Sequence, residues 1–269
     1  MIRIEQVDMV FGAGTPDENV ALSNINLTIE AGDFVTLIGS NGAGKSTLYN
    51  VIAGSYIPSK GRIFLRDEKY QTDREITKEA EYKRAHYIGR IFQNPLLGTA
   101  GKMTLADNMM ICHKKGYKGL KISLNKRMRE RFQEQLRVLD MGLENRLNDN
   151  VELFSGGQRQ ALTLLMTVMS RPGFLLLDEH TAALDPRNAE IIMGLTLRFA
   201  AEYRLTVMMI THNMAHALKY GNRLLMMDRG EIILNIGDTE KAKLTTDGIV
   251  RRFRDIKNRE LANDEMLLN

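Results

Sequence analysis

A glycine-rich segment constrains this chain more than any other feature. It fits the pattern G-x-x-x-x-G-K-[ST] with the residues Gly39, Ser40, Asn41, Gly42, Ala43, Gly44, Lys45, Ser46 and Thr47. The apolar run Phe34–Ile38 before it predicts a β-strand, and residues Thr47–Ala53 after it predict a helix that ends at Gly54. Glycines let backbone N–H groups converge on an anion, and the start of a helix adds positive potential. The segment therefore predicts a phosphate-binding loop.

Two side chains of the loop carry the predicted chemistry. Lys45 would reach the β- and γ-phosphates of a nucleoside triphosphate, and the Ser46 hydroxyl would ligate Mg²⁺. The alternative is a glycine-rich turn with an incidental lysine. The strand and helix predicted on either side favour an ATP site with Mg²⁺.

Composition narrows the class of protein. The chain has 269 residues, of which 43% are hydrophobic and 26% charged, as is typical of a globular protein with one or two domains. A net charge of +4 suits nucleic acid, an anionic membrane surface or simply a solvated surface. Exposed aromatics interleaved with basic residues are not found, so no nucleic-acid partner is predicted. Cys112 is the only cysteine, which excludes an internal disulfide.

Membrane-spanning and targeting patterns are not found in the sequence. The N-terminus has no apolar signal-peptide region, and no apolar run approaches the ~18 residues of a membrane helix. A membrane role would therefore require a partner that spans the bilayer.

The order of patterns along the chain predicts an α/β fold. Alternating runs at Arg3–Val10, Leu22–Ile29 and Gly61–Arg66 predict an antiparallel layer, and the polar residues 67–86 are interpreted as loop and short helix. Helical patterns follow Pro95, and strands then alternate with helices, which indicates a parallel sheet covered on both faces. The predicted fold is a P-loop nucleotide hydrolase core with a mostly parallel sheet, an N-terminal antiparallel β layer and an inserted α-helical subdomain.

Further candidate residues follow the ends of two predicted strands. Asp178 closes the apolar run Phe174–Leu177, where a carboxylate can hold the hydration shell of Mg²⁺. Glu179 follows and would polarise the attacking water as a general base. His212 ends a neighbouring strand and offers an imidazole to the γ-phosphate, although a histidine taken alone is more often structural.

The ordered set of motifs resembles the ATP-binding subunit of an ABC transporter over nearly the whole chain. The resemblance implies that Gln93 touches Mg²⁺ or water and senses the membrane subunit, and that Asp185 lies in a loop that crosses a dimer. It also implies that Phe11 stacks on adenine, although a plain phenylalanine at the end of a strand explains it equally. The family's signature, which binds the ATP held by the other subunit, corresponds to Ser155, Gly156, Gly157 and Gln158.

Two residues depart from the family pattern. Phe154 replaces the leucine of the signature and keeps an apolar body, so little functional change is expected. His180 stands where the family usually has proline. It is interpreted either as a pH-sensitive group beside Glu179 or as a tolerated turn residue.

The resemblance also implies partners, location and domain organisation. It predicts a homodimer that sandwiches two ATP molecules, a separate membrane permease, an indirectly associated solute-binding protein, and a peripheral location on the cytoplasmic face of the inner (plasma) membrane. Residues 1–240 are predicted to form the ATP-binding domain, with a helical subdomain at about 95–165 and a helix-prone tail at 241–269.

Two strings resemble one branch of bacterial importers that is associated with aromatic amino acids. They are residues 178–186, DEHTAALDP, and residues 93–99, QNPLLGT. The function predicted is ATP-driven transport of a small solute. The alternatives are a soluble ABC ATPase that acts in assembly and a nucleotide-switched scaffold without transport.

The apolar residues after Gln93 predict the docking site of the permease. Leu96 and Leu97 follow a strand end, where a plain loop is usually polar, and an apolar surface patch often marks a partner site. The alternative is that both leucines pack under the helical insert.

Overall fold

The predicted α/β architecture is present in a computed structural model, which describes residues 2–67, 72–113 and 124–255. The last part of the predicted tail, 256–269, lies outside this range. The chain divides into one compact unit of Met1–Lys78 with Met208–Asn269 and a second unit of Glu79–Val207. In chain order the elements are β1 (Ile2–Phe11), β2 (Asn19–Ile29), β3 (Phe34–Gly39), α1 (Lys45–Ala53), β4 (Lys60–Asp67), β5 (Thr72–Glu75), α2 (Glu81–Arg84), β6 (Ile88–Ile91), α3 (Leu105–His113), α4 (Lys126–Arg137), α5 (Gly156–Met169), β7 (Phe174–Asp178), α6 (Pro186–Glu202), β8 (Thr206–Ile210), α7 (Met214–Lys219), β9 (Arg223–Asp228), β10 (Glu231–Gly237) and α8 (Asp238–Lys241).

The antiparallel layer belongs to the first unit and confirms the prediction from the N-terminal alternation. Its strand order is β2-β1-β4-β5. In β1 the apolar residues Ile2, Ile4, Val7 and Met9 are buried. Ile2 pairs with Ile29 of β2 on one side and with Leu65 of β4 on the other. One face of the layer therefore contributes to the core, as period-two alternation requires.

Strand β5 corrects part of the interpretation of residues 67–86 as loop and short helix, whereas α2 confirms the short helix. It pairs with β4 through Phe64 opposite Glu75 and Arg66 opposite Asp73. Every residue of β5 is exposed. An edge strand without a buried face has no apolar alternation, so backbone pairing rather than burial defines it.

The first unit also holds the strand that leads into the glycine loop. β3 is parallel to β9, with Val35 opposite Arg223 and Gly39 opposite Met227. β10 adds to β9 in the antiparallel sense. At the end of β8, the Thr211 N–H donates to the Leu37 carbonyl of β3 at 3.2 Å. The carboxyl ends of β3 and β8 thus meet at one edge of this sheet.

The second unit combines parallel strands with helices. β6 is parallel to β7, and Ile88 lies opposite Phe174. The apolar residues of β7 are buried, as expected for a central strand of a parallel sheet. In α4, Phe132 and Leu136 are fully buried. Helices α5 and α6 pack against each other beside these strands.

Candidate functional site

The glycine loop is shaped by positions that only glycine can occupy. Gly39 has φ 154° and Gly44 has φ 97°. A Cβ on Gly39 would lie 2.3 Å from the Met227 carbonyl oxygen, and one on Gly44 would lie 2.6 Å from the Ala21 oxygen. The loop is therefore pressed against neighbouring backbone, and the chain turns sharply from β3 into α1.

Lys45 begins α1 and reaches back over the loop. Its ammonium Nζ donates to the carbonyl oxygens of Gly39 and Ser40, both at 2.8 Å. The residue is only 7% exposed. Because the first N–H groups of a helix have no partner within it, the ammonium and the helix start together favour an anion.

Side chains and backbone of the same unit anchor the loop. The Ser40 hydroxyl donates to Asp228 Oδ1 at 3.1 Å. The Gly230 N–H donates to the Ala43 carbonyl at 3.1 Å. Sequence reasoning did not single out Asp228. The available signal was an acid at the end of the strand that follows α7.

His212 lies at the sheet edge from which the glycine loop starts. It is exposed on the short connection between β8 and α7. The Asn213 N–H donates to the Thr211 hydroxyl at 3.1 Å, and Asn213 Oδ1 accepts from the His216 N–H that starts α7. The first unit therefore brings the glycine loop and His212 to neighbouring strand ends.

The paired carboxylates lie in the second unit, where β7 ends. Asp178 is the last residue of β7. Glu179 has φ 46°, in the left-handed region that non-glycine residues seldom adopt. Such backbone strain clusters at functional positions. The Ala182 N–H donates to the Glu179 carbonyl at 2.9 Å, which closes the turn.

His180 is a buried anchor of this turn. It is 2% exposed, and its Nε2 lies 3.1 Å from the Thr196 hydroxyl of α6. That hydroxyl donates to the Ile192 carbonyl at 2.8 Å. The Thr196 oxygen therefore accepts from His180, so the imidazole carries its proton on Nε2 in this arrangement. The residue that replaces the family proline ties the carboxylate turn to α6.

The predicted signature forms the start of α5. The Ser155 hydroxyl accepts from the Gln158 N–H at 3.2 Å, and Gln158 Oε1 accepts from the Ser155 N–H at 3.1 Å. This capping box leaves the hydroxyl hydrogen of Ser155 to donate outward. The preceding Phe154 is buried with the Arg146 guanidinium 4.5 Å above its ring, in keeping with an apolar role.

Asp185 and the signature helix share a neighbour, Asn188. The Asp185 carboxylate caps α6 by accepting from the Asn188 N–H at 3.1 Å and from its side-chain amide at 2.6 Å. These hydrogen bonds lower the pKa of the Asp185 carboxyl. A Cβ on Gly157 would lie 2.8 Å from the Asn188 side chain, so α5 approaches it closely.

The remaining predicted residues lie at surfaces. Gln93 is exposed after β6, and Asn94 caps the short turn that follows by accepting from the Leu96 N–H at 2.9 Å. Leu96 is 55% and Leu97 66% exposed, so the alternative that they pack under the insert is wrong. Phe11 ends β1 and meets the ring of Tyr56 edge to face, with centroids 5.4 Å apart.

The candidate metal ligands are oxygen atoms, which suit an ion that is held mainly by phosphate. Within residues 2–67, 72–113 and 124–255, no group of three or more histidine, cysteine or acidic side chains is placed to hold a metal. Mg²⁺ is typically bound through one or two carboxylates together with substrate phosphates and water. The Ser46 hydroxyl in the first unit and the Asp178 carboxylate in the second are each an oxygen ligand of the kind that such an ion accepts. None of the helices in these ranges combines the length and the apolar character that a membrane span requires.

Comparison with known proteins agrees with this geometry. The family model described as ABC transporter matches residues 22–182, more than half of the chain. The chain therefore belongs to the ABC transporter family and is an ATPase of that family. A tyrosine transport ATP-binding protein of Clostridioides difficile is 40% identical over 94% of this chain and 98% of its own length. A methionine import ATP-binding protein of Enterococcus faecalis is 32% identical over 99% of this chain and 75% of its own.

Solved structures of ATP-binding cassettes have the same fold. The ADP conformation of one cassette of an ABC transporter superposes with a TM-score of 0.75 at 27% identity, covering 94% of this chain and 97% of that one. A dimeric cassette in a post-hydrolysis state with ADP and Pi gives a TM-score of 0.71 at 26% identity, covering 88% and 99%. The predicted family, fold class and ATPase activity are thus confirmed. The chain binds and hydrolyses ATP to power solute transport.

Proposed function

We propose that this ATPase powers the import of an aromatic amino acid, with tyrosine as the first candidate. The observation that carries the proposal is the 40% identity to a tyrosine transport ATP-binding protein over nearly the full length of both chains. The relatives at 32% identity or below include methionine and phosphonate import proteins. The two importer strings at residues 93–99 and 178–186 support the same substrate class.

The proposed catalytic roles follow the position of each side chain in its own unit. The glycine loop and Lys45 bind the β- and γ-phosphates, since the Lys45 ammonium lies over the loop and the start of α1 favours an anion. Glu179 polarises the attacking water, and His212 contacts the γ-phosphate. Ser46, Gln93 and Asp178 would hold Mg²⁺, which when bound neutralises charge on the phosphates.

The active form in this proposal is a homodimer with composite sites. Support comes from the dimeric solved relative and from Ser155, whose hydroxyl caps a helix start that favours an anion. Each ATP held by the loop of one subunit would meet the Ser155–Gln158 signature of the other. The capped Asp185 turn would take part in the same contact.

Mixed dimers test this arrangement. Ser155→Arg places bulk and positive charge in the signature, and Glu179→Gln removes the general base. Combining the two mutant subunits should create one doubly damaged site and one undamaged site, so part of the ATPase activity should return. Dimers that show no gain over either mutant alone would contradict the composite site.

The exposed apolar segment after Gln93 is the proposed docking site of a membrane permease. Leu96 and Leu97 are the exposed leucines of the turn, and Met103 nearby is 38% exposed. An exposed apolar patch suits a partner helix. A solute-binding protein would act through that permease, and the subunit would sit peripherally on the cytoplasmic face of the membrane.

Leu97→Glu tests the docking site. The variant should bind ATP like the wild type when isolated, yet fail to copurify with the permease from membranes. Tyr82→Glu is the matched control, since Tyr82 is an exposed apolar residue of the same unit outside this segment. Full association of a folded Leu97→Glu variant would place the docking site elsewhere.

Transport in reconstituted vesicles tests the function itself. The subunit and the permease that copurifies with it should support ATP-dependent uptake of labelled tyrosine, and Lys45→Ala should abolish it. Uptake of methionine but not tyrosine would overturn the substrate while leaving the importer class intact. ATP hydrolysis without uptake of any amino acid would favour the alternative of a soluble assembly ATPase.

A further inference from the structure

A cavity of about 320 Å³ lies within the first unit, behind the start of the glycine loop. Its walls come from the end of β3, the connection after β8, the start of α7, strand β9 and the helical residues 246–255. The lining residues are Ile38, Gly39, Ser40, Thr211, His212, Met214, Met226, Val250 and Phe253. The cavity is therefore in contact with both the glycine loop and His212.

The lining is apolar except at one end. Ile38 and Met226 belong to a core cluster against which Phe253 packs. Methionine side chains adapt their shape and make favourable contacts with aromatic rings. Polar groups are contributed by Ser40, Thr211 and His212, which stand beside the loop. Apolar walls with a few convergent polar groups, in a volume of roughly 300–1,000 Å³, are the usual features of a small-molecule site.

We propose that this cavity binds a small, uncharged aromatic molecule that regulates ATP turnover. The ring would lie between Met214, Met226 and Phe253, and a single polar group would reach the Ser40 or Thr211 hydroxyl. Among the residues that the structure describes, the lining contains no carboxylate, lysine or arginine to pair with a zwitterion, so burial there disfavours a free amino acid. The cavity ligand is therefore a different molecule from the proposed transported solute.

An effect on ATP turnover is expected because Gly39 and His212 line the cavity. Gly39 has no room for even a Cβ on the side of Met227, so a ligand that shifts β9 would act directly on the loop. His212 would be held or released by the same occupant. The effect on turnover rests on the proposed function of these residues, whereas binding to the cavity does not.

Methyl NMR of the full chain, with indole as the probe, tests binding without ATP. Methionine methyl groups labelled with ¹³C are assigned by single Met→Leu variants. Indole should shift the signals of Met214 and Met226 and leave Met166, a buried methionine of the second unit, unchanged. Shifts that are absent, or equal at all three methionines, would overturn the site.

Filling the cavity gives the second test. Val250→Trp places an indole ring inside the cavity and should weaken indole binding at least ~10-fold. Arg251→Trp is the matched control, because Arg251 is exposed on the same helical segment and does not line the cavity. Its affinity should stay within about twofold of the wild type. Equal affinities for both folded variants would contradict the proposal.

ATP turnover then decides regulation. Saturating indole should change the turnover of the wild type and of Arg251→Trp, but not that of Val250→Trp. Thermal melting of each variant identifies any that fail to fold, in which case Val250→Phe replaces Val250→Trp. Methionine shifts with no change in turnover would overturn the regulatory role. If the wild type binds indole but does not hydrolyse ATP, the proposed function is wrong and the binding site still stands.

Discussion

The glycine loop of the first unit and the carboxylate turn of the second are built in different ways. Backbone contacts shape the loop, and Gly39 and Gly44 are pressed against the carbonyls of Met227 and Ala21. A backbone hydrogen bond closes the turn, and side-chain hydrogen bonds join it to α6, through His180 to Thr196 and through Asp185 to Asn188. The loop should therefore tolerate few changes at its glycines. The turn depends on hydrogen-bonded pairs of side chains, and either member of a pair can be substituted without a steric clash with the backbone.

The largest effect, on turnover, is expected at Glu179, the residue of the turn that is proposed to act as the general base. Glu179→Gln keeps the size of the side chain but removes the general base, so turnover should fall at least ~10²-fold while ATP binding is retained. An ATP-bound dimer should accumulate and is measured by gel filtration. Glu202→Gln, an exposed change of the same kind at the end of α6, is the control. Turnover within twofold of the wild type would remove Glu179 from the mechanism.

The backbone-built loop should respond most in stability. Gly39→Ala puts a methyl group where the Met227 oxygen stands at 2.3 Å, so the free energy of unfolding should drop by about 2 kcal/mol or more. Urea unfolding measures the change. Gly237→Ala is the control in the same unit, because nothing lies within 4 Å of its Cβ, and it should cost less than about 0.5 kcal/mol. Equal costs would show that the loop is not under steric constraint.

The side-chain pair in the turn should couple energetically. His180→Phe and Thr196→Val remove the hydrogen bond from either end while keeping shape. A double-mutant cycle should give a coupling energy of about 1 kcal/mol in urea unfolding. His180→Phe should also lower turnover, by less than Glu179→Gln does. Additive stabilities in two folded variants would mean that the hydrogen bond does not anchor the turn.

The smallest effect concerns a side-chain anchor elsewhere in the first unit. Lys241 Nζ donates to the carbonyl oxygens of Tyr220 and Gly221. Burial lowers the pKa of Lys241 from 10.5 to about 8, and Asp238 opposes the shift. Between these two pH values the unfolded chain binds more protons at Lys241, so stability should rise with pH relative to Lys241→Met. If the stability of the wild type and of Lys241→Met changed equally with pH across this window, the lowered pKa of Lys241 would be contradicted.

Much of this architecture follows from patterns that the sequence displays locally. The strand, glycine loop and helix over residues 34–53 combine an apolar run with glycines that the turn requires, and the structure confirms them. The buried strand β7 was likewise visible as a continuous apolar run. These features depend on neighbours in the chain, which is why a single sequence reveals them.

Other features depend on residues that are distant in sequence. β5 has no buried face, so its pairing with β4 leaves no periodic pattern. The partner of His180 is Thr196, and the partner of Ser40 is Asp228, which lies 188 residues away. Arg84 is fully buried although arginine usually stays exposed. The roles of the individual site residues stay predictions. Those of Lys45 and Glu179 rest on the chemistry of their motifs, and that of Gln93 rests on the family resemblance.

Asn188 gives the second unit a mechanical consequence. Its backbone N–H and its side-chain amide both donate to the Asp185 carboxylate, and the start of the signature helix approaches its side chain closely at Gly157. A displacement of the Asp185 turn therefore requires a displacement at the signature, and the reverse holds by thermodynamic linkage. The Asp185 turn and the signature, both proposed to face a partner subunit, would then bind or release it together. The cooperativity between these two contacts would originate within one chain.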